Sequence, residues 1–144
     1  MTVVLDASVA LKWQFNDEEA TAEATALLHD FVDGKIELIT PTLFTYEILS
    51  GINVAINRKR IKETDGVKAL RYISGLGIEL KAFDDLVDET FRLARRYRLS
   101  PYDCAYLALS DREQVEFLTG DKKLFDSLRK QIHWIRWIGD YEPS

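Results

Sequence analysis

The sequence predicts an α/β layer fold on a mostly parallel central sheet of about four to five strands. Three observations carry this. Short apolar or β-branched runs alternate with longer stretches of helical periodicity along the whole chain. The first of these runs, Val3-Val4-Leu5, is apolar at successive positions, as a strand covered on both faces requires. Glycine and proline fall between the periodic segments, at Gly34, Pro41, Gly75, Gly77 and Pro101, and punctuate them.

Taken in order, Val3–Leu5 forms the first strand and runs into Asp6. Val9 to Trp13 follows as a short helical turn. Asn16-Asp17-Glu18-Glu19 is a polar break that opens a helix over Glu18–Phe31, with Ala20, Ala24, Leu27, Leu28 and Phe31 at helical spacing. Asp33-Gly34 ends it. Glu37–Pro41 is a second strand closed by proline. Thr42 to about Arg58 is a helix with apolar residues at Leu43, Phe44, Ile48, Leu49, Ile52 and Ile56. Glu63–Ile73 is another, and Ile78-Glu79-Leu80 a third strand. Asp84-Asp85 opens a helix with acidic charge in its first turn, where the dipole favours it, and its core side is Leu86, Phe91, Leu93 and Ala94. Ser100-Pro101 starts the next helix with proline at its first position. Val115–Thr119 is a fourth strand, Asp121–Lys130 a helix and His133–Ile138 a final edge strand.

The 144 residues suit one domain with a core of its own, and the 47% hydrophobic composition is that of a globular chain. No apolar run approaches the roughly 20 residues of a membrane span. A basic region is missing before Val3 and Asp6 interrupts the apolar run, so a secretory signal is not expected. The single cysteine, Cys104, allows no internal disulfide and fits a reducing cytoplasm. The formal net charge of -5 does not favour a nucleic-acid surface by itself. A site that gathers carboxylates around a cation inverts its local field, however. Two basic clusters, Arg58-Lys59-Arg60-Ile61-Lys62 and Arg92, Arg95, Arg96 and Arg98, interrupt the acidic balance. Solvated helix faces account for most clusters of this kind.

Four acidic residues stand at places that can converge. Asp6 ends the first strand, at the edge where open α/β sheets bind ligands. Glu47 lies well inside its helix, past any capping position. Asp103 lies in the first turn of the helix opened by Ser100-Pro101. Asp121 follows the fourth strand. Each has a purely structural alternative. Asp6 and Asp121 read equally as helix N-caps. Ser100-x-x-Asp103 is a capping-box pattern, and Glu47 fits an exposed polar stripe. Jointly, they form a carboxylate-rich set that selects Mg²⁺ or Mn²⁺ over zinc. The only histidines, His29 and His133, have no metal-ligand spacing, and His29 is expected on the surface. Ser8 is placed to steady the Asp6 carboxylate. Asp126 is a peripheral candidate. Cys104 reads as core. Tyr46, Tyr102 and Trp13 are candidates for stacking on bases, with core packing the alternative for at least some of them. Trp134 and Trp137 suit either a partner surface or a strand packed on the core.

Four stretches, Val3-Val-Leu-Asp6-Ala-Ser8, Pro41-Thr-Leu-Phe-Thr-Tyr-Glu47, Leu99-Ser-Pro-Tyr-Asp103-Cys-Ala-Tyr106-Leu-Ala and Phe117-Leu-Thr119-Gly-Asp121-Lys-Lys-Leu, together resemble the motifs of PIN-domain ribonucleases, most closely the VapC-type toxins of toxin–antitoxin pairs. The resemblance runs through almost the whole chain in order, with no departure at the acidic positions. It implies one three-layer α/β/α PIN-like domain over residues 1–144 and metal-dependent endonuclease action on RNA. It implies Asp6, Glu47, Asp103 and Asp121 as the acidic site for Mg²⁺ or Mn²⁺, with Ser8 and Thr119 as supporting hydroxyls. Homodimerisation and inhibition by a small antitoxin are further implications.

Other readings fit less well. A haloacid-dehalogenase-type phosphatase needs a second aspartate two residues after Asp6, where Ser8 stands. A receiver domain has a lysine near Lys122 but needs an acidic pair beside Asp6. A PIN-like module that binds RNA or protein without cutting has no use for all four carboxylates, whereas an RNA-processing PIN nuclease without an antitoxin stays open as the alternative to the toxin.

Overall fold

The computed structural model describes residues 1–15 and 17–144. Asn16, one residue of the expected polar break, lies outside them. The first strand, β1 (Thr2–Leu5), leads into a short helix α1 (Ala7–Lys12) and then α2 (Thr21–Val32). Strand β2 (Glu37–Pro41) is followed by α3 (Leu43–Asn57), α4 (Glu63–Gly75) and β3 (Glu79–Lys81). A 3-10 turn at Asp84–Leu86 introduces α5 (Val87–Tyr97), which folds back through α6 (Pro101–Glu113). Then come β4 (Glu116–Thr119), α7 (Lys122–Leu128), β5 (Ile135–Trp137) and a closing 3-10 turn, Ile138–Asp140. Among the described residues, no helix is long and apolar enough to cross a membrane.

The five strands form one sheet in the order β3-β2-β1-β4-β5, every neighbouring pair parallel. β1 is central, and from Val3 to Leu5 it is buried throughout. Its side chains alternate between two cores. Val3 and Leu5 join Leu38 and Leu118 beneath α1 to α4, against Leu27, Phe44, Ile48 and Ile73. Val4 joins Ile39 and Phe117 on the other face, against Leu93, Leu107 and Phe125 of α5, α6 and α7. These are the three layers the alternation of strands and helices calls for.

The chain builds outward from β1 to β3 on one side, then crosses to β4 and β5 on the other. The order therefore reverses between β1 and β4, and a crevice opens outside their carboxyl ends. The two strands stay in register to that edge, with Leu5 opposite Leu118 and the Asp6 amide donating to the Leu118 carbonyl at 3.1 Å.

Two expectations are corrected. Phe91 is 64% exposed and not part of the core. It lies two residues, some 200° of helical rotation, from Leu93, whereas Leu86, Thr90, Leu93 and Ala94 share the buried stripe. The second helix starts at Thr21, not Glu18, because Ala20 adopts a left-handed conformation (φ 61°) that a helix cannot continue through. The turn before it is drawn across α1 by the buried Lys12, whose Nζ donates to the Glu19 carbonyl at 2.7 Å and pairs with Glu18 at 3.7 Å.

Candidate active site

The crevice at the strand ends is an open cleft of about 540 Å³, and Asp6, Glu47, Asp103 and Asp121 all line it. Four separate segments bring them there.

Asp6 is the N-cap of α1, its Oδ1 accepting from the Ser8 amide at 3.5 Å. Asp121 is the N-cap of α7, its Oδ1 accepting from the Leu124 amide at 3.0 Å. Capping and cleft lining thus coexist, since a carboxylate offers about four acceptor positions and a cap uses one. A short network joins the two caps. The Thr119 hydroxyl donates to Asp6 Oδ2 at 2.8 Å and accepts from the Asp121 amide at 3.0 Å. Ser8 Oγ lies 3.5 Å from the Thr119 hydroxyl and accepts from the Gly120 amide at 2.8 Å. Gly120 must be glycine here, since a Cβ would stand 2.9 Å from the Ser8 carbonyl oxygen and 2.7 Å from the Lys12 Cε.

Glu47 and Asp103 are carried by helices. Glu47 is half-buried one residue before the fully packed Ile48, and the Tyr106 hydroxyl donates to its Oε1 at 2.5 Å. Tyr106 is itself completely buried and stacks on Phe117 with centroids 5.7 Å apart. Asp103 belongs to α6, whose N-cap is Ser100, accepting from the Tyr102 amide at 3.1 Å. Among the described residues no hydrogen bond runs from Asp103 back to the Ser100 amide, so the reciprocal half of a capping box is not made. Its carboxylate lines the cleft instead. The helix behind it is buried from Cys104 to Ser110, which seats its first turn at the sheet edge.

These groups feel one another. Burial pushes the Asp103 carboxyl up to about 6, and the charges of Asp6 and Asp121 add to the push. Burial raises Glu47 as well; the Tyr106 hydrogen bond opposes this, and Asp6 and Asp103 reinforce it. Asp6 is raised chiefly by burial, against the pull of its Thr119 and Ser8 hydrogen bonds and with help from Asp121. A cluster of carboxyls that resist ionisation beside each other is one that a hard cation stabilises. The donor set fits such an ion: oxygen ligands alone, with no histidine or thiolate on the cleft. Among the described residues, no group of three or more acidic, histidine or cysteine side chains is arranged as it stands to hold a metal ion.

Other candidates lie elsewhere. Asp126 is on the surface, paired with Lys122 at 3.4 Å, and does not line the cleft. Lys122 also sits over the Trp137 ring at 4.7 Å. Cys104 is buried, its thiol pushed up to about 11 by burial and by Asp103, which leaves it a core residue and a poor nucleophile. His29 is exposed. Neither basic cluster lines the cleft; Arg60 is engaged by Asp17 at 2.8 Å and Arg92 by Glu89 at 2.6 Å. Trp13 packs against the core and its Nε1 donates to the Ala24 carbonyl at 2.8 Å, so it is structural. Trp134 and Trp137 are half-buried against the cores. Tyr46 and Tyr102, in contrast, line the cleft and stay exposed.

The sequence reading missed Tyr106 as the residue that fixes Glu47. The signal was there: it lies three residues after Asp103, on the same side of α6. It also passed over Asp30, a buried aspartate that accepts from the Tyr141 hydroxyl at 2.6 Å, far from the cleft in function and structural in effect.

Residues 3–131 match the family model described as PIN domain. VapC ribonuclease Mb0985 of Mycobacterium bovis is 30% identical over 129 residues, which span 90% of this chain and 93% of that protein. Ribonuclease VapC9 of Mycobacterium tuberculosis is similar to the same extent, 30% over 129 residues. With this match along nearly its whole length, and with its carboxylates at the reversal point of an all-parallel sheet, the chain belongs to the PIN domain family.

Proposed function

We propose that this chain is a metal-dependent endoribonuclease that hydrolyses RNA phosphodiester bonds, acting as one domain over residues 1–144 and as the toxin of a toxin–antitoxin pair. The observation that carries the reading is the convergence of Asp6, Glu47, Asp103 and Asp121, from four segments, on one open cleft. The relatives named as VapC ribonucleases support the substrate and the toxin role.

In this reading the four carboxylates hold Mg²⁺ or Mn²⁺. When bound, the cation supplies positive charge to a phosphate and lowers the pKa of the attacking water. The chain's own residues set the stage for it. Thr119 and Ser8 orient Asp6, and they tie the loop that carries Asp121 to the loop that carries Asp6. Tyr106 holds Glu47 toward the cleft from below. The openness of the cleft leaves room for a polynucleotide to lie across it. A cytoplasmic location, an antitoxin partner and a homodimer complete the reading.

The test is cleavage of a mixed, labelled RNA pool by the pure protein in Mg²⁺, in Mn²⁺ and in EDTA, beside Asp6→Asn in each condition. Cutting that needs metal and that folded Asp6→Asn abolishes is the expected result. No cutting with either ion, or cutting that survives Asp6→Asn, overturns the assignment. Retention of RNA without cutting then favours a binding module.

A further inference from the structure

Each helix-borne carboxylate of the cleft is preceded by a tyrosine: Tyr46 before Glu47 on α3, and Tyr102 before Asp103 on α6. Neighbouring residues on a helix point about 100° apart, so when the carboxylate faces inward the tyrosine stands at the lip. Both rings do so. Tyr46 is 73% exposed and Tyr102 62%, and both belong to the wall of the cleft. They come from opposite faces of the sheet, since α3 packs on one core and α6 on the other. Neither hydroxyl has a hydrogen-bond partner among the described residues. Fold stability accounts for neither ring, because neither is packed.

From this geometry we infer that Tyr46 and Tyr102 are substrate-positioning residues that stack on unpaired bases either side of the bond to be cut. The inference rests on the ribonuclease reading above. Its physical basis is the charge of the cleft. The cleft lining holds no lysine or arginine, and a cation held by its carboxylates would serve the phosphate being cut. Affinity for the nucleotides on either side of it must then come from contacts that do not depend on cationic side chains. Aromatic faces supply them, and they accept any base. Bases in a duplex already stack on their neighbours, so their faces are covered. Only nucleotides that can splay apart present a face to each tyrosine.

The test compares one oligoribonucleotide carrying 2-aminopurine, free and annealed to its complement, with wild type, Tyr46→Ala, Tyr102→Ala, the double variant and the two phenylalanine variants. Loss of one stacking contact is expected to raise KM for the free strand about ten-fold with a smaller change in kcat. The double variant is expected to raise it roughly a hundred-fold, and phenylalanine, which keeps the ring, to rescue each alanine defect. Quenching of 2-aminopurine on binding should fall in step. The annealed strand should be a poor substrate throughout. Alanine variants with unchanged KM and quenching overturn the inference, as does wild type that cuts the duplex as readily as the free strand. Wild type that never cuts, but whose quenching depends on the tyrosines, overturns the ribonuclease reading and leaves the stacking intact. Wild type that neither cuts nor quenches overturns both.

Discussion

The acidic cleft has two halves built on different principles. Asp6 and Asp121 sit on the backbone edge of adjacent parallel strands, where they cap helix amides and are joined through the hydroxyls of Thr119 and Ser8. Glu47 and Asp103 ride on helices from opposite layers and depend on packing for their positions, with a single hydrogen bond, from Tyr106, on Glu47. The strand-end half is held by local hydrogen bonds that one loop pair can satisfy. The helix-borne half is held by the core as a whole. The first is a hydrogen-bonded platform. The second is where burial and neighbouring charge act with the least hydrogen-bond compensation, and there Asp103 reaches about 6.

The largest effect is expected from breaking the platform. Thr119→Val keeps the shape, removes the donor to the buried Asp6 and orphans the Asp121 amide. Leaving such groups unpaired should cost about 2–3 kcal/mol, read as a lower urea midpoint, and weaken Mn²⁺ binding in calorimetry. An unchanged midpoint would mean that the network does not hold the two strand ends.

Tyr106→Phe attacks the other half and should cost about 1–2 kcal/mol, as the ring still stacks on Phe117 and only the hydroxyl is lost. Its sharper signature is weaker Mn²⁺ affinity in a protein that stays well folded. Equal metal binding in wild type and variant would remove Tyr106 from the account of Glu47.

Proton competition tests the helix-borne half at Asp103. A carboxyl held at about 6 must give up its proton to bind a cation, so Mn²⁺ affinity should fall as pH drops from 7 toward 5. Without metal the sign is the opposite for stability. The folded state holds the Asp103 proton more tightly than the unfolded chain does. The stability this contributes is complete below the ordinary carboxylate range and is lost as pH rises through about 6. Asp103→Asn should therefore raise the metal-free unfolding midpoint at pH 7, by roughly 1 kcal/mol after allowing for the group's partial exposure. It should also flatten the pH dependence between about 4 and 6. A variant less stable than wild type at pH 7 would contradict this electrostatic picture.

The smallest effect is expected at Asp126, outside the cleft. Asp126→Ala removes an exposed pair with Lys122 and should stay within about 0.5 kcal/mol, with Mn²⁺ affinity unchanged. Loss of metal binding there would place the site's boundary wrongly.

What the sequence determined by itself was the order of the elements and the four acidic candidates, most directly the strand-end pair. Strands read directly because Val3–Leu5 and Phe117-Leu118 are buried on both faces and carry no polar residue. Asp6 and Asp121 read directly because a carboxylate after a strand and before a helix is fixed by local chain geometry, whether it caps, binds or does both. The tertiary structure alone decided the rest. Phe91 could be placed only once Leu93 and Thr90 had chosen the buried side of α5. The start of α2 depended on the pull of the buried Lys12 on the Glu19 carbonyl. Glu47 and Tyr106, 59 residues apart, meet only because α3 and α6 pack on opposite faces of one sheet and lean over its edge. Local spacing holds no record of such a contact, since it is made by the layers and not by the segments within them.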